Sequence, residues 1–243
     1  MNRRVSHRIG EYPAGVVGVE GRLARIKERI AHAAERVGRD PGLVLLIGAT
    51  KDVDAGRLRD ALALGLRDFG ENRIQEALPK IAAVGEGPRW HFIGHLQRNK
   101  AKPAVEHFGM IHSLDSPALA RAVDRAAGAA GRRVEVLVEV NVGAETTKYG
   151  AAPAEVDALV LELGECRHLV PIGLMTVAPE ARDPEVVRPF FRSLRVLRDR
   201  LRSGSVGEDF RELSMGMSGD FEVAVEEGAT MVRIGRAIFG ERT

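Results

Sequence analysis

Strand-length apolar runs alternate with amphipathic helical patterns along most of the chain, and the alternation occurs eight times. The clearest run covers residues 134–142, and another at 43–50 follows the turn residues Asp40, Pro41 and Gly42. Strands separated by helices are expected to pair in parallel. Eight such units favour closure into a single (β/α)8 TIM barrel, since an open sheet would leave two unpaired edges. An open doubly wound sheet is the alternative.

The predicted strands are 43–50, 66–70, 90–93, 110–113, 134–142, 169–177, 210–213 and 230–234. The predicted helices between them are 54–65, 72–83, 97–106, 116–130, 153–165, 184–202 and 220–227. An extra helix precedes the first strand, because Val19, Leu23, Ile26 and Ile30 are spaced by three and four and Gly38 ends the pattern. Residues 1–13 are predicted to form a flexible tail, and residues 14–243 the barrel.

Composition excludes several classes of protein. The net charge is +2 and 44% of the residues are hydrophobic, which is typical of a globular domain and demands neither nucleic acid nor membrane as a partner. No run approaches the ~18 apolar residues of a membrane span. The single cysteine, Cys166, cannot form an internal disulfide and is interpreted as a small buried hydrophobe, so a cytoplasmic protein is expected.

Many arginines lie in the helical pattern at 184–202, which would suit a nucleic-acid-binding patch. The same segment carries Phe190, Phe191 and Leu194 at positions that would cover a core. We therefore favour a barrel helix with a solvated basic face.

Lys51 directly follows the apolar run at 43–50. A lysine at the rim of a buried strand is expected to be partly desolvated. Desolvation lowers the pKa of an amine and makes it a nucleophile that can form an imine with an aldehyde. The alternative is a lysine that merely extends from the strand end into water.

Active sites of such barrels form at the carboxyl ends of the strands, and the loops after the last two strands commonly bind phosphate. The segment 214–219 offers two serine hydroxyls, free backbone N–H groups and a following helix, and Gly235 allows a close approach to an anion. A plain helix cap is the alternative for this segment. An amine and a phosphate site in one barrel mouth are what pyridoxal 5′-phosphate requires.

Other polar residues near strand ends are more ambiguous. His91 and His95 lack a further ligand at metal-binding spacing, so a metal site is not expected. Asn72 could hydrogen-bond the cofactor ring oxygen or cap a helix.

Several segments give the chain a close resemblance to the YggS/PROSC family of pyridoxal phosphate homeostasis proteins. The resemblance spans residues 15–242. The matching segments are 49–51, 69–72 with 75–76, 90–100, 112–115, 148–150, 173–176, 213–218 and 231–235.

The resemblance implies a barrel like the N-terminal domain of alanine racemase, with pyridoxal 5′-phosphate bound to Lys51. It also implies that Arg233 faces the pyridine nitrogen, and that Ser214, Ser218, Gly235 and the backbone of Arg236 contact the phosphate. Thr50 and Arg236 depart from the family, which usually has serine at the first position and a small hydroxyl residue at the second. The complete set of expected cofactor-binding residues is Lys51, Asn72, His91, Met175, Ser214, Met215, Ser218, Arg233, Gly235 and Arg236.

The expected role is to hold the cofactor and to pass it to apo-enzymes, with little or no catalysis. An arginine donates to the pyridine nitrogen and leaves it unprotonated, which makes the ring a weaker electron sink. Alanine racemases take their second base from an additional C-terminal domain, and the given sequence ends at Thr243, so no such base is expected here. That second base is a tyrosine in alanine racemases, and the only tyrosines in this sequence are Tyr12 and Tyr149. A weak amino-acid racemase and an aldol-type barrel enzyme are the alternatives, and a monomer is expected.

Overall fold

Eight parallel strands close into a barrel in the order in which they follow one another along the chain. The computed structural model describes residues 18–145 and 148–240. The strands are β1 (Leu45–Ala49), β2 (Asp68–Glu71), β3 (Arg89–Phe92), β4 (Met110–Leu114), β5 (Val134–Glu139), β6 (Leu169–Met175), β7 (Glu212–Ser214) and β8 (Met231–Ile234). The predicted (β/α)8 barrel is confirmed and the open sheet is excluded, while the predicted tail at 1–13 lies outside the described residues.

Helices follow every strand and cover the outside of the barrel. The helices are α1 (Val19–Arg36), α2 (Ala55–Ala63), α3 (Ile74–Val84), α4 (Ala101–His107), α5 (Pro117–Ala129), α6 (Val156–Gly164), α7 (Arg188–Leu201), α8 (Phe221–Glu226) and α9 (Arg236–Phe239). The sequence pattern did not predict α9, because a single turn is too short to show a helical period. No helix within the described ranges combines the length and apolar character needed to cross a membrane.

The extra N-terminal helix α1 packs against α8 and α9 near the closure of the barrel between β8 and β1. Its apolar stripe, which includes Leu23, Ile26 and Ile30, is buried. The Nε of Arg22 donates to the carbonyl oxygen of Ile238 in α9 at 2.7 Å. Because α9 is only four residues long, α1 supplies much of the apolar cover that a longer eighth helix would give.

Several observed boundaries differ from the predicted ones at the start of an element. The segments Pro41–Leu43, Pro153–Glu155 and Pro184–Val187 are 3-10 turns, so β1, α6 and α7 begin a few residues later than predicted. Proline fixes φ and lacks an N–H donor, which suits it to the first position of such a turn. β7 lies two residues later than the predicted 210–213 at its start and one later at its end.

The barrel interior has an apolar and a polar part. A small apolar cluster lies inside it, formed by Ile47, Met110, Leu137, Met175 and Met231. His91, His112, Ser214 and Arg233 are also buried, and Ile47 of β1 is in register with Arg233 of β8. The larger core lies between the barrel and its helices, and the half-buried Cys166 packs against it.

Carboxylates of the same protein neutralise the arginine-rich face of α7. Glu227, whose side chain is 5% exposed, pairs with Arg188, Arg192 and Arg195. The other pairs along this face are Arg198 with Asp199, Arg200 with Asp157, and Arg202 with Glu208. The positive charge of this face is therefore balanced by carboxylates of the same protein. This agrees with the prediction of a barrel helix with a solvated basic face.

Candidate functional site

A cavity of about 750 Å³ lies at the carboxyl ends of the strands. Six of the ten residues predicted from the sequence line it, and they come from β8 and from the segments that follow β1, β2, β7 and β8. They are Lys51, Asn72, Ser218, Arg233, Gly235 and Arg236. The closure of the barrel next to β1 brings the predicted amine and the predicted phosphate loops into one mouth.

Lys51 occupies a turn two residues beyond the end of β1, and it is exposed. The expectation of a partly desolvated lysine at the strand rim is therefore wrong, because the strand ends at Ala49 and the buried residue at its rim is Thr50. The following residue, Asp52, has φ of 60°, a left-handed conformation that aspartate tolerates better than most residues. This turn directs the chain from β1 toward α2.

A buried ion pair stabilises the peptide that carries Lys51. The ammonium group of Lys80 donates to the carbonyl oxygen of Thr50 at 2.6 Å and to Oε1 of Glu71 at 2.7 Å. The hydroxyl of Thr50 lies 2.5 Å from the same carboxylate oxygen. Glu71 is fully buried. The sequence resemblance included Glu71 but assigned it no role, and Lys80 had no signal because α3 brings it back over the end of β2.

Arg233 is 4% exposed and its guanidinium has two hydrogen-bond acceptors inside the barrel. It donates to Oγ of Ser214 at 2.6 Å and to the carbonyl oxygen of Thr176 at 2.8 Å. Burial lowers the pKa of Arg233 to about 10, although the carboxylates of Glu139 and Asp220 oppose this effect. The group therefore remains a cation at neutral pH and can only donate hydrogen bonds.

Glu139, at the end of β5, was not predicted from the sequence. Its side chain is buried and its Oε2 atom has no hydrogen-bond partner among the described residues. Burial, together with the nearby charge of Asp115, raises the pKa of Glu139 to about 7, and Arg233 opposes the shift. A carboxyl group near Arg233 thus titrates close to neutral pH.

The loop after β7 contributes Ser218 and Gly219 to the cavity wall. The backbone N–H of Met217 donates to Oδ1 of Asp220 at 2.5 Å, so one of the expected free donors already has an acceptor. Asp220 also lines the cavity, and burial raises its pKa. The following helix α8 has only six residues, so the expected positive helix end contributes little.

Gly235 and Arg236 complete this side of the mouth. A Cβ atom on Gly235 would lie 2.9 Å from the carbonyl oxygen of Ala49. Only glycine therefore lets the end of β8 approach β1 this closely. Arg236 starts α9 and faces the cavity together with Arg57 and Arg182, which gives this region a surplus of cationic side chains.

Four predicted site residues do not line the cavity. Met175 belongs to the apolar cluster inside the barrel, and Met215 is buried in the outer core. Ser214 and His91 are fully buried inside the barrel. Of these two, Ser214 alone contacts a residue that lines the cavity, because its hydroxyl oxygen accepts a hydrogen bond from Arg233. Successive residues of a strand point to opposite faces, which is why Met215 cannot share the inner face with Ser214.

Asn72 lines the cavity and does not cap a helix. The cap position of α3 is Arg73, so the capping interpretation of Asn72 is wrong. A contact between Asn72 and the ring oxygen of a cofactor remains a prediction.

His95 stacks on Tyr149 with ring centroids 3.7 Å apart, and neither residue lines the cavity. The Nδ1 atom of His95 lies 3.5 Å from Oδ2 of Asp115. Among the residues that the structure describes, no three histidine, cysteine, aspartate or glutamate side chains are grouped as metal ligands would be.

Comparisons with known proteins match one family along most of the chain. The family model of the alanine racemase N-terminal domain matches residues 22–243. A pyridoxal phosphate homeostasis protein of Aquifex aeolicus is 46% identical over 222 residues, which is 91% of this chain and 97% of that protein. The human pyridoxal phosphate homeostasis protein is 38% identical over 240 residues, or 93% of this chain and 87% of that protein.

Solved structures agree with the sequence comparison. The structure of PipY from Synechococcus elongatus with PLP bound has a TM-score of 0.80 and is 37% identical in sequence. The match covers 91% of this chain and 100% of the PipY chain. An alanine racemase from Clostridium difficile is 16% identical, with a TM-score of 0.68 over 89% of this chain and 56% of its own chain, and shares the fold alone. By the family model, the identity to its relatives and the shared barrel, this chain belongs to the YggS/PROSC family of pyridoxal phosphate homeostasis proteins within the alanine racemase N-terminal domain fold.

Proposed function

We propose that this protein binds pyridoxal 5′-phosphate in the cavity at the carboxyl ends of its strands, through an imine between Lys51 and the cofactor aldehyde. The cofactor is held, its free concentration is limited, and it is passed to apo-enzymes that need it. One observation carries the proposal: Lys51, Arg233, Ser218 and Gly235 line the same cavity.

The chemistry of the donor set fits this cofactor. Lys51 is the one lysine among the described residues that line the cavity, so it supplies the amine for the aldehyde. The buried cation of Arg233 suits a ring nitrogen that accepts a hydrogen bond. Ser218, Gly235 and Arg236 offer a hydroxyl, an open backbone and a guanidinium for the phosphate.

The exposure of Lys51 supports a holding role. An exposed amine at the open end of a barrel is accessible to an aldehyde that arrives from solvent and to an acceptor that removes it. Bound pyridoxal 5′-phosphate would supply an electrophilic ring conjugated to the amine. Arg233 would keep that ring nitrogen unprotonated, because a guanidinium donates and does not take up a proton.

The lining of the cavity argues against efficient racemisation. A racemase needs an acid or base on each face of its substrate, and Lys51 could serve only one face. No tyrosine or histidine lines the cavity within the described ranges, and Tyr149 stacks on His95 outside it. The acids that do line it include Asp52, Glu180 and Asp220. The proposed activity toward amino acids is accordingly low.

The test combines spectroscopy with mass measurement. Purified protein is mixed with pyridoxal 5′-phosphate, its absorption spectrum is recorded, and it is reduced with borohydride before peptide mapping. We expect an imine band that borohydride removes and a phosphopyridoxyl mass on the peptide with Lys51. Lys51→Ala should lack both, and Lys102→Ala, at a lysine of α4 away from the cavity, should keep both.

A wild-type protein that stays colourless and unlabelled would overturn the proposal, and so would labelling centred on another lysine. Exchange of the α-hydrogen of alanine for deuterium at a rate of about 1 s⁻¹ or more, the lower range for enzymes, would replace the holding role by racemase-type catalysis.

A further inference from the structure

Four hydrogen-bonded side chains lead from Arg233 to the opposite mouth of the barrel. Ser214 Oγ accepts from Arg233 and lies 2.9 Å from Nδ1 of His112. Nε2 of His112 lies 3.0 Å from Nδ1 of His91, and Nε2 of His91 lies 2.9 Å from Oδ1 of Asp68. Ser214, His112 and His91 are fully buried. These contacts form one unbroken path inside the barrel.

The far end of this path reaches water. Asp68 is the first residue of β2, and it lines a second cavity of about 770 Å³ at the amino-terminal ends of the strands. Its side chain is 15% exposed. The path therefore connects the wall of the proposed cofactor site with the opposite, water-accessible mouth.

We propose that Asp68, His91, His112 and Ser214 form a directional relay of hydrogen bonds that positions Arg233 for the ring nitrogen of the cofactor. The relay rests on the proposed function for the identity of the ligand. Its members are positioning residues, since only Arg233 lines the cofactor cavity.

The chemistry of the two ends sets the direction of every hydrogen bond. The carboxylate of Asp68 can only accept, so Nε2 of His91 carries a hydrogen. A neutral His91 then has a bare Nδ1, which accepts from the Nε2–H of His112. A neutral His112 in turn has a bare Nδ1, which accepts the hydroxyl hydrogen of Ser214. The lone pairs of Ser214 are thereby left for Arg233.

Both histidines are neutral because of their surroundings. Burial lowers the pKa of His91, an effect that the Asp68 carboxylate opposes, and Arg89 and Glu135 are the other charged groups that face it. Burial holds the pKa of His112 well below its usual value, and the neighbouring His91, Arg233 and Arg89 add to this shift. A relay with a fixed direction is therefore maintained at neutral pH.

The consequence for the cofactor lies in the orientation of the guanidinium. Ser214 and the Thr176 carbonyl hold two nitrogen atoms of Arg233 as donors. If the direction were reversed, Nδ1 of His112 would carry a hydrogen toward Ser214, whose oxygen would then accept from both His112 and Arg233. The buried hydroxyl hydrogen of Ser214 would lose its acceptor, and the hold of Ser214 on Arg233 would weaken.

The first measurement needs no variant and no cofactor. In protein with ¹⁵N-labelled histidine at pH 7.5, long-range ¹H–¹⁵N correlation spectra distinguish bare from hydrogen-bearing ring nitrogens. We expect His91 and His112 to carry hydrogen on Nε2 and to have a bare Nδ1. A hydrogen on Nδ1 of His112 would overturn the relay, whatever the protein binds.

The second measurement uses pyridoxamine 5′-phosphate, which keeps the ring nitrogen and the phosphate but has no aldehyde. Asp68→Leu and Ser214→Ala should each raise its dissociation constant about tenfold, as expected for one hydrogen bond to a charged group. Binding of inorganic phosphate should not change, because the relay acts on the ring arginine. Asp209→Leu, at an aspartate that lines the same amino-terminal cavity, is the matched control.

The outcomes separate the two proposals. Failure of the wild-type protein to bind pyridoxamine 5′-phosphate overturns the proposed function and the role of the relay in it. Equal binding by the wild type, Asp68→Leu and Ser214→Ala overturns the relay alone. Equal losses of phosphate and of pyridoxamine 5′-phosphate binding would mean that the variants damage the whole site, and this would also overturn a specific role for the ring.

Discussion

The carbonyl oxygen of Ala49 lies 2.9 Å from the position that a Cβ atom on Gly235 would occupy. Ala49 ends β1, two residues before Lys51, and Gly235 follows β8, two residues after Arg233. This close approach joins the two halves of the proposed site where the barrel closes.

Gly235→Ala should therefore separate the ends of β1 and β8. The added methyl group would meet backbone, which cannot rotate away, so we expect a loss of about 1–3 kcal/mol of unfolding free energy and weaker cofactor binding. Urea unfolding and titration with pyridoxal 5′-phosphate measure the two effects. Gly164→Ala is the control: it lies in α6, where the added Cβ would have no atom within 4 Å apart from its chain neighbours and the backbone of that helix, and it should be neutral or slightly stabilising.

Lys80→Met should destabilise the protein strongly. It leaves the fully buried carboxylate of Glu71 without its cation, and breaking a buried pair in this way costs about 3–5 kcal/mol. The double variant with Glu71→Gln should regain part of the lost stability, because it no longer carries an uncompensated buried charge. Lys102→Met, which breaks an exposed pair with Glu106 at 3.9 Å, should change stability by less than about 0.5 kcal/mol. Equal losses for the two lysine variants in urea unfolding would contradict this account.

Glu139 should make stability fall as pH rises. Burial raises its pKa from 4.5 to about 7, so the native state binds more protons than the unfolded state between these values. The stability that this proton provides is complete below pH 4.5 and is lost as pH rises through 7. Glu139→Gln should therefore be more stable than the wild type at pH 8, by roughly 1–3 kcal/mol.

Thermal or urea unfolding of wild type and Glu139→Gln across pH 4 to 8 measures this difference. The exposed Glu86 provides the control, Glu86→Gln, whose curve should run parallel to that of the wild type. A constant difference between wild type and Glu139→Gln over the whole range would contradict the raised pKa.

Glu227→Gln should weaken the contact between α7 and α8. Burial alone would raise the pKa of Glu227, but hydrogen bonds from Arg192 and Arg188 outweigh it and lower the pKa below 4.5. A loss of roughly 1–3 kcal/mol is expected at neutral pH. It should shrink as pH falls below 4.5 and vanish once pH has passed through the lowered pKa of Glu227, where the wild-type carboxyl is protonated as well. Glu208→Gln, in an exposed pair with Arg202, should have little effect at any pH.

Local sequence determined the elements of this fold and their type. The spacing of apolar residues predicted all eight strands and the helices between them, because periodicity reports which face of an element is buried. The positions of Lys51, Ser218 and Gly235 followed as well, since strand ends and the phosphate-binding loops of such barrels define the mouth. The place of Arg233 in the site was implied by the resemblance to the family.

Tertiary structure alone decided which side chains meet. Asp68, His91, His112 and Ser214 come from four strands, and nothing in the spacing of these residues predicts that they hydrogen-bond in a row. The same holds for Glu139 near Arg233 and for Lys80 beside Glu71. Periodicity shows that a residue points inward, but its depth and partner depend on strand register and on closure of the barrel, which are set by packing over the whole chain.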